Sequence, residues 1–158
     1  MKIANFEIAK RVIKHPSKIA IAVNKNETGK INLITLEWFM RTSIKPPIFA
    51  VSIGHSRYSY RCFQNFRYFN LCFPSKEMRK TALVAGTTSG RDVDKLSLIT
   101  EKYFAGKLIK LPIFENAAAN FECEIVSQIR SGDHTIFIGE VKYSWIDESK
   151  KLLLAEDL

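Results

Sequence analysis

The sequence predicts an antiparallel β-barrel with a few helices placed outside it. Runs of alternating or apolar residues typical of strands recur along the chain, and short polar turns join several of them. No repeat, low-complexity tract or Ser/Gly-rich linker divides the 158 residues, a length that fits one hydrophobic core. We therefore expect one mainly β domain that covers residues 1–158.

The first strands form a hairpin. Lys18–Val23 and Lys30–Trp38 are β-like runs, and the polar segment Asn24–Gly29 between them ends on a glycine that suits a hairpin loop. Pro46-Pro47 then ends one segment, and the apolar run Ile48–Ile53 is typical of a strand buried on both faces. This strand is expected to be central to the barrel or sheet.

Two helices interrupt the strands. Ser56 is expected to cap a helix over Arg57–Phe66, because a serine hydroxyl can accept a hydrogen bond from the first turn. The chain returns to strand at Phe69–Phe73. Pro74-Ser75 then opens a second helix that should end near Gly86.

The C-terminal third predicts a long hairpin with one wet face. Phe121, Cys123 and Ile125 alternate with glutamates, as in a strand with one buried face. A turn at Ser131–Asp133 leads into a second long strand, His134–Trp145.

Composition favours an anionic ligand and excludes few classes of protein. The 24 basic and 16 acidic residues give a net charge of +8, which concentrates nucleotides, phosphates or nucleic acid near the surface. The basic residues are scattered rather than gathered in an arm, so a nucleic-acid-binding β-barrel is possible but poorly supported. The absence of a signal-like N-terminus and of a long apolar run predicts a cytoplasmic protein with no membrane contact.

The three cysteines, Cys62, Cys72 and Cys123, are expected to be buried free thiols. Their number is odd and their spacing does not match a zinc site. No group of His, Cys and Asp residues has the spacing of metal ligands or of a catalytic triad, so no metal site is predicted.

The segment Ser89–Lys95 is the most informative short motif. It places two cations and two carboxylates around a glycine that allows close backbone approach, an arrangement suited to a phosphate. Taken alone, a solvated charged loop with an internal ion pair is the more common explanation of such a segment. Gly132-Asp133-His134 is a second compact signal, because it places a histidine where a turn enters a strand.

Five motifs together resemble the flavin reductase-like family, which includes flavoredoxins. They are Asn32–Trp38, Pro46-Pro47, Ser52–Ser59, Ser89–Lys95 and Gly132–His134, and they occur in the family's order and spacing. The resemblance implies an FMN-binding split β-barrel of antiparallel Greek-key type. It also implies a homodimer with the flavin near the subunit interface.

The resemblance also implies a role for particular residues. The cofactor-binding positions are Asn32, Thr35, Trp38, Ser52, Ser56, Arg57, Ser59, Ser89, Arg91 and Lys95. Arg91 and Lys95 would neutralise the phosphate and Ser89 would donate a hydroxyl, while Asp92 or Asp94 would orient the arginine or cap a following helix. His134 is assigned to the redox end of the site, where it would position the electron donor rather than act as an acid.

The implied activity is an NAD(P)H-dependent flavin reductase with FMN as cofactor. Hydride passes from NADH or NADPH to flavin N5, and the electrons go on to free flavin, ferric iron or a redox protein. The open alternatives are a flavoredoxin-like carrier reduced by a protein donor and, from a different class, a basic β-barrel that binds nucleic acid. Many relatives extend beyond the position of Leu158, so access to the isoalloxazine is expected to be more open here or covered by a partner subunit.

Overall fold

The computed structural model describes residues 3–12 and 16–158. The strands are β1 (Ala20–Lys25), β2 (Ile31–Leu36), β3 (Phe39–Ser43), β4 (Ile48–Gly54), β5 (Tyr68–Phe73), β6 (Tyr103–Ala105), β7 (Pro112–Phe114), β8 (Ala119–Ser131) and β9 (His134–Ile146). The α-helices are α1 (Phe6–Val12), α2 (Tyr58–Asn65) and α3 (Arg79–Thr87), and short 3-10 helices cover Lys76–Met78, Lys95–Leu98 and Ala155–Asp157.

Seven antiparallel strands form the main sheet, in the order β2-β1-β5-β8-β9-β4-β3. The two strands at the sheet edges, β2 and β3, follow each other in the chain and are separated only by Glu37 and Trp38. One bent segment therefore supplies both edges, which curls the sheet into a barrel. The predicted antiparallel barrel is confirmed.

The bend itself corrects one prediction, because the strand expected over Lys30–Trp38 ends at Leu36. The amide of Phe39 donates to the carbonyl of Glu37 at 3.1 Å, and the amide of Ser52 donates to the carbonyl of Trp38 at 2.8 Å. This local turn redirects the chain onto β4, and β3 continues there as a strand that the sequence interpretation missed.

Strand β1 separates two hydrophobic clusters. One cluster, inside the barrel, includes Ala20, Ala22, Val51, Ile53, Phe63, Phe69, Leu71 and Phe137. The other lies between the outer face of the sheet and α3, and it includes Ile19, Ile21, Val23, Leu33, Met78 and Ala82. Successive strand residues point to opposite faces, so β1, in which Ala20–Asn24 are all buried, is covered on both faces. Strand β2 pairs beside it.

The first hairpin forms as predicted. Asn26 closes its loop, since its side-chain oxygen accepts hydrogen bonds from the amides of Thr28 and Lys30 at 3.0 and 2.9 Å. Gly29 has a φ of +83°, a conformation that favours glycine.

The β8–β9 hairpin also forms, with Ser131 opposite His134 and a two-residue turn between them. Gly132 has a φ of +59° in that turn. Residues 127–133 are exposed on both faces, so the predicted single wet face holds only for the part of the hairpin within the barrel. We call residues 127–137 the hairpin arm.

Both predicted helices are present, but Ser56 does not cap the first. Arg57 occupies the N-cap position of α2, and its side chain makes no capping hydrogen bond. The second helix begins with the 3-10 turn Lys76–Met78 and continues as α3 to Thr87. Within the described ranges, no helix has the length and apolar character needed to cross a membrane.

Candidate functional site

A polar pocket lies between β2, the N-terminus of α2 and the loop that follows α3. It has a volume of about 310 Å³. Seven of the ten predicted cofactor-binding residues line it, namely Thr35, Ser56, Arg57, Ser59, Ser89, Arg91 and Lys95. Three segments far apart in sequence therefore converge on one cavity.

Three cations give this pocket its charge. Arg57 and Arg91 are exposed, and neither guanidinium makes a hydrogen bond or ion pair with any residue that the structure describes. Lys95 adds an ammonium at the pocket wall. None of the described residues that line the cavity carries a carboxylate, so its charge is suited to an anion.

Lys95 is buried, with 4% of its surface exposed. Its Nζ donates to the carbonyl oxygens of Leu33 at 2.7 Å and of Ala85 at 2.8 Å, which joins β2 to α3. The pKa of Lys95 is lowered to about 8, chiefly by burial, and the charge of Arg57 acts in the same direction. In the protonated state, one of the three N–H donors remains for a ligand.

The Ser89–Lys95 loop is held by its own hydrogen bonds rather than by an ion pair. The Ser89 hydroxyl accepts from the Arg91 amide at 3.2 Å, and the Ser89 carbonyl accepts from the Asp92 amide at 3.1 Å. Asp94 accepts a hydrogen bond from the Leu96 amide at 3.0 Å and so caps the 3-10 helix. Helix capping is one of the two roles predicted for the aspartates. Among the described residues no ion pair joins Arg91 to either aspartate, so the alternative of an internally paired loop is wrong.

Gly90 allows this loop to pack closely against the barrel. A Cβ atom at this position would lie 2.5 Å from Asn32 Oδ1 and 2.9 Å from Tyr58 Cδ1, well inside van der Waals contact. A side chain here would therefore push the loop, and with it Ser89 and Arg91, away from the pocket.

Asn32 lies behind the pocket wall rather than on it. Its amide donates to Ser59 Oγ at 2.9 Å, and its side chain is buried. Asn32 Oδ1 is buried with no hydrogen-bond partner in the described structure. Thr35 donates to the Ala82 carbonyl at 2.6 Å, which leaves its oxygen free to accept a hydrogen bond.

The remaining predicted site residues, Trp38, Ser52 and His134, lie together outside this pocket. The rings of Trp38 and His134 are 4.6 Å apart, and Trp38 and Ser52 line a small groove of about 280 Å³. Trp38 is 61% exposed, so it is a surface aromatic and not part of the hydrophobic core.

Asp133 orients His134. Its Oδ1 lies 2.6 Å from His134 Nδ1, and this hydrogen bond lowers the pKa of the Asp133 carboxyl. The pairing fixes the ring and leaves Nε2 as the free nitrogen. Sequence reasoning placed Asp133 in the right motif but gave it no role, because a turn aspartate usually serves the turn.

Gly54 lies between the polar pocket and the group formed by Trp38, Ser52 and His134. A Cβ atom there would lie 3.2 Å from His134 Nε2 and 3.7 Å from Arg57 Cγ. His134 and the pocket residue Arg57 therefore flank one glycine. Gly54 and Tyr58 both lie within the motif Ser52–Ser59, but sequence reasoning did not assign either of them to the site.

Residues 12–157 match the flavin reductase like domain family. The chain belongs to this family. An uncharacterised protein of Archaeoglobus fulgidus is 34% identical over 112 residues, which are 71% of this chain and 63% of that protein. The chain thus spans less than two thirds of the length of that curated relative.

Solved structures share the fold. Flavoredoxin from Methanosarcina acetivorans is 28% identical with a TM-score of 0.79, over 94% of this chain and 75% of that chain. An FMN-binding protein from Thermus thermophilus is 27% identical with a TM-score of 0.79, over 91% of this chain and 85% of that chain. The architecture is therefore the split barrel of flavin reductases and flavoredoxins.

Proposed function

We propose that the protein binds FMN and acts as an NAD(P)H-dependent flavin reductase that passes electrons to an acceptor. The observation that carries this proposal is the pocket in which Arg57, Arg91 and Lys95 converge, with no carboxylate among its described lining residues. Its support from comparison is that related structures at 28% and 27% identity are named a flavoredoxin and an FMN-binding protein.

The residues fit the phosphate end of FMN. Two guanidinium groups and one ammonium would neutralise a dianion, and Ser89 supplies a hydroxyl at the same wall. The N-terminus of α2 opens on this pocket at Ser56–Ser59, and the amides of a first helical turn favour negative charge. The three cations, the Ser89 hydroxyl and the α2 N-terminus therefore all favour a phosphate in this pocket.

The residues also offer partners for the rest of the cofactor. An isoalloxazine presents carbonyl oxygens around a ring N–H, and Thr35 and Ser59 carry hydroxyls along the pocket wall. Asn32 donates a hydrogen bond to Ser59, and its buried Oδ1 has no hydrogen-bond partner in the described structure. A small rotation of the Asn32 side chain would make a further hydrogen-bonding group available to the cofactor. Ser52 and Trp38 lie beyond Gly54, on the side of His134.

His134 is proposed to position the electron donor. When bound, the flavin supplies the chemistry, since its N5 accepts a hydride from reduced nicotinamide. Asp133 holds the His134 ring in place, and Trp38 presents an exposed aromatic face beside it. An exposed aromatic face and an oriented imidazole can align a flat nicotinamide ring, which is the main requirement of hydride transfer.

A flavoredoxin-like carrier that takes electrons from a protein is the second candidate. The observation that favours it is the exposure of Trp38, whose ring contacts His134, and of Met40, which lines the same groove as Trp38; each is 61% exposed. An open apolar rim suits contact with a redox protein as well as with a small donor.

A homodimer with FMN near its interface is part of the same proposal. Exposed apolar residues near the His134 end and along the barrel, including Trp38, Met40 and Ile146, offer a surface for a second copy. Sedimentation velocity of the FMN-loaded protein tests this assembly: a mass of one chain at micromolar concentration would contradict it.

Flavin binding is tested by titrating FMN and riboflavin into the purified protein and following the quenching of flavin fluorescence. Riboflavin lacks only the phosphate, so it is the matched ligand. A charge-assisted hydrogen bond contributes about 1.5–3 kcal/mol, and we expect FMN to bind at least about tenfold more tightly. Equal affinity for the two ligands would contradict the phosphate assignment.

Two variants and one control sharpen this test. Arg91→Gln and Arg57→Gln should each reduce the preference for FMN over riboflavin. Arg61→Gln is the matched control, because Arg61 is exposed on α2 and does not line the pocket. Anaerobic stopped-flow mixing of the FMN-loaded protein with NADH and with NADPH then separates the reductase from the carrier, since the carrier is not reduced by either.

A further inference from the structure

A second polar groove lies between α2 and the hairpin arm, outside the proposed flavin pocket. It has a volume of about 460 Å³. Its lining residues are His55, Tyr60, Gln64, Gln128, Arg130 and Thr135. Every one of them carries a hydrogen-bonding side chain, and none carries a carboxylate.

The fold explains why these side chains meet. Gln128 and Arg130 are two residues apart on β8, so they share one face of the hairpin arm, and Arg130 pairs in register with Thr135 on β9. Tyr60 and Gln64 are four residues apart on α2 and therefore share one face of that helix. His55 lies between the two elements, directly after β4.

Part of the groove is held in place by internal hydrogen bonds. His55 Nε2 lies 3.0 Å from Thr135 Oγ1, and the His55 amide donates to the Asp133 carbonyl at 2.9 Å. The rings of His55 and Tyr60 are 4.7 Å apart. Gln64 donates to the Tyr60 hydroxyl at 2.7 Å, so the phenol proton is available to another acceptor.

The rest of the groove is a set of unpaired side-chain donors. The Arg130 guanidinium makes no hydrogen bond, ion pair or ring contact with any residue that the structure describes, and the same is true of the Gln128 side-chain amide. The acidic group next to His55 is Asp133, whose carboxylate is bonded to His134 instead. The groove therefore combines a free guanidinium, a phenol proton and free amide N–H groups, and no carboxylate is among its described lining residues.

We infer that this groove is a second anion site, one that binds a phosphate group. A guanidinium binds such a group through parallel N–H donors, and a tyrosine hydroxyl and an amide can occupy its remaining lone pairs. His134 and Thr135 follow each other on β9, so their side chains point to opposite faces and the groove is distinct from the His134 end of the flavin site.

The occupant's phosphate could belong to a nucleotide or be inorganic. Asp133 links the groove to the redox end, because its carbonyl accepts from the His55 amide and its carboxylate holds His134. The 2′-phosphate of NADPH is one such group, and its assignment to this groove rests on the proposed function.

The test is isothermal titration calorimetry of 2′,5′-ADP and of inorganic phosphate, with the flavin pocket first saturated with FMN and then again without FMN. We expect saturable binding to the wild type that weakens about tenfold or more in Arg130→Gln and is partly restored in Arg130→Lys. Gln64→Leu should weaken binding by a smaller factor. Arg61→Gln is the matched control, because it also removes one positive charge but at a position on α2 outside the groove. It should not change phosphate binding.

The outcomes separate the possible sources. Tighter binding of 2′,5′-ADP than of inorganic phosphate assigns the groove to a nucleotide, and equal affinity assigns it to free phosphate. No binding to the wild type, or binding that Arg130→Gln leaves unchanged, overturns the inference. Because FMN affinity is measured separately, failure of the groove and failure of the flavin proposal give different results.

Discussion

The affinity for FMN should fall as the pH rises from 7 to 9, because Lys95 loses its charge in that interval. Burial lowers the pKa of Lys95 to about 8 in the ligand-free protein. A phosphate dianion in the same pocket favours the protonated amine and so raises this pKa on binding. The complex then holds more protons than the free protein above pH 8, and rising pH must weaken binding.

The size of the effect follows from how far the pKa rises. If binding restored it to the ordinary value of 10.5, the dissociation constant would increase about tenfold between pH 7 and pH 9. A smaller rise, to a pKa of about 9, would give an increase of about fivefold. The phosphate contributes little to this slope, because its second pKa is about 6 and it stays a dianion throughout.

Fluorescence titrations of FMN at several pH values between 7 and 9 measure the slope. Riboflavin serves as a control, since its affinity should be independent of pH in this range. Lys95→Met keeps most of the apolar stem and removes the amine, so FMN should bind more weakly to it and with no slope. Arg91→Gln should weaken binding but retain the slope. An FMN dissociation constant that is constant from pH 7 to 9 in the wild type would refute the reasoning.

Three further predictions follow from the site and the core. His134→Ala should retain FMN but be reduced more slowly by NADH or NADPH, which stopped-flow absorbance measures; an unchanged rate would exclude His134. Gly90→Ala should destabilise the loop by about 1–3 kcal/mol through its clash with Asn32 and weaken FMN binding, as denaturant titration and fluorescence show. Burial raises the pKa of Cys62 to about 11 and raises the pKa of the other two thiols, so a thiol reagent at pH 8 should label the unfolded but not the native protein.

The strands with strong local patterns could be predicted from the sequence. The β8–β9 hairpin carries alternating residues on both sides of a turn that contains Gly132, and the first hairpin contains a polar loop that ends on Gly29. In both cases the information is local, because alternation and turn residues act within a few positions of the chain.

The bend at Glu37 and Trp38 could not be predicted in the same way. The apolar pattern continues through Leu36 and Phe39 without a glycine or proline to mark a break. What redirects the chain is the hydrogen bond from the Ser52 amide to the Trp38 carbonyl, which depends on β4 being in place. Barrel closure is therefore a property of the assembled sheet, and no residue type within the segment specifies it.

The buried setting of Lys95 shows the same limit for the candidate site. A lysine in a charged loop is ordinarily solvated, and its neighbours in sequence give no reason to bury it. The two carbonyls that accept from it belong to Leu33 and Ala85, which are 62 and 10 residues away. Each of these elements supplies only one acceptor, and only their convergence offsets the cost of removing an ammonium from water. The motif thus located the cation, while the assembled fold determines that its pKa lies near the pH at which its charge can be switched.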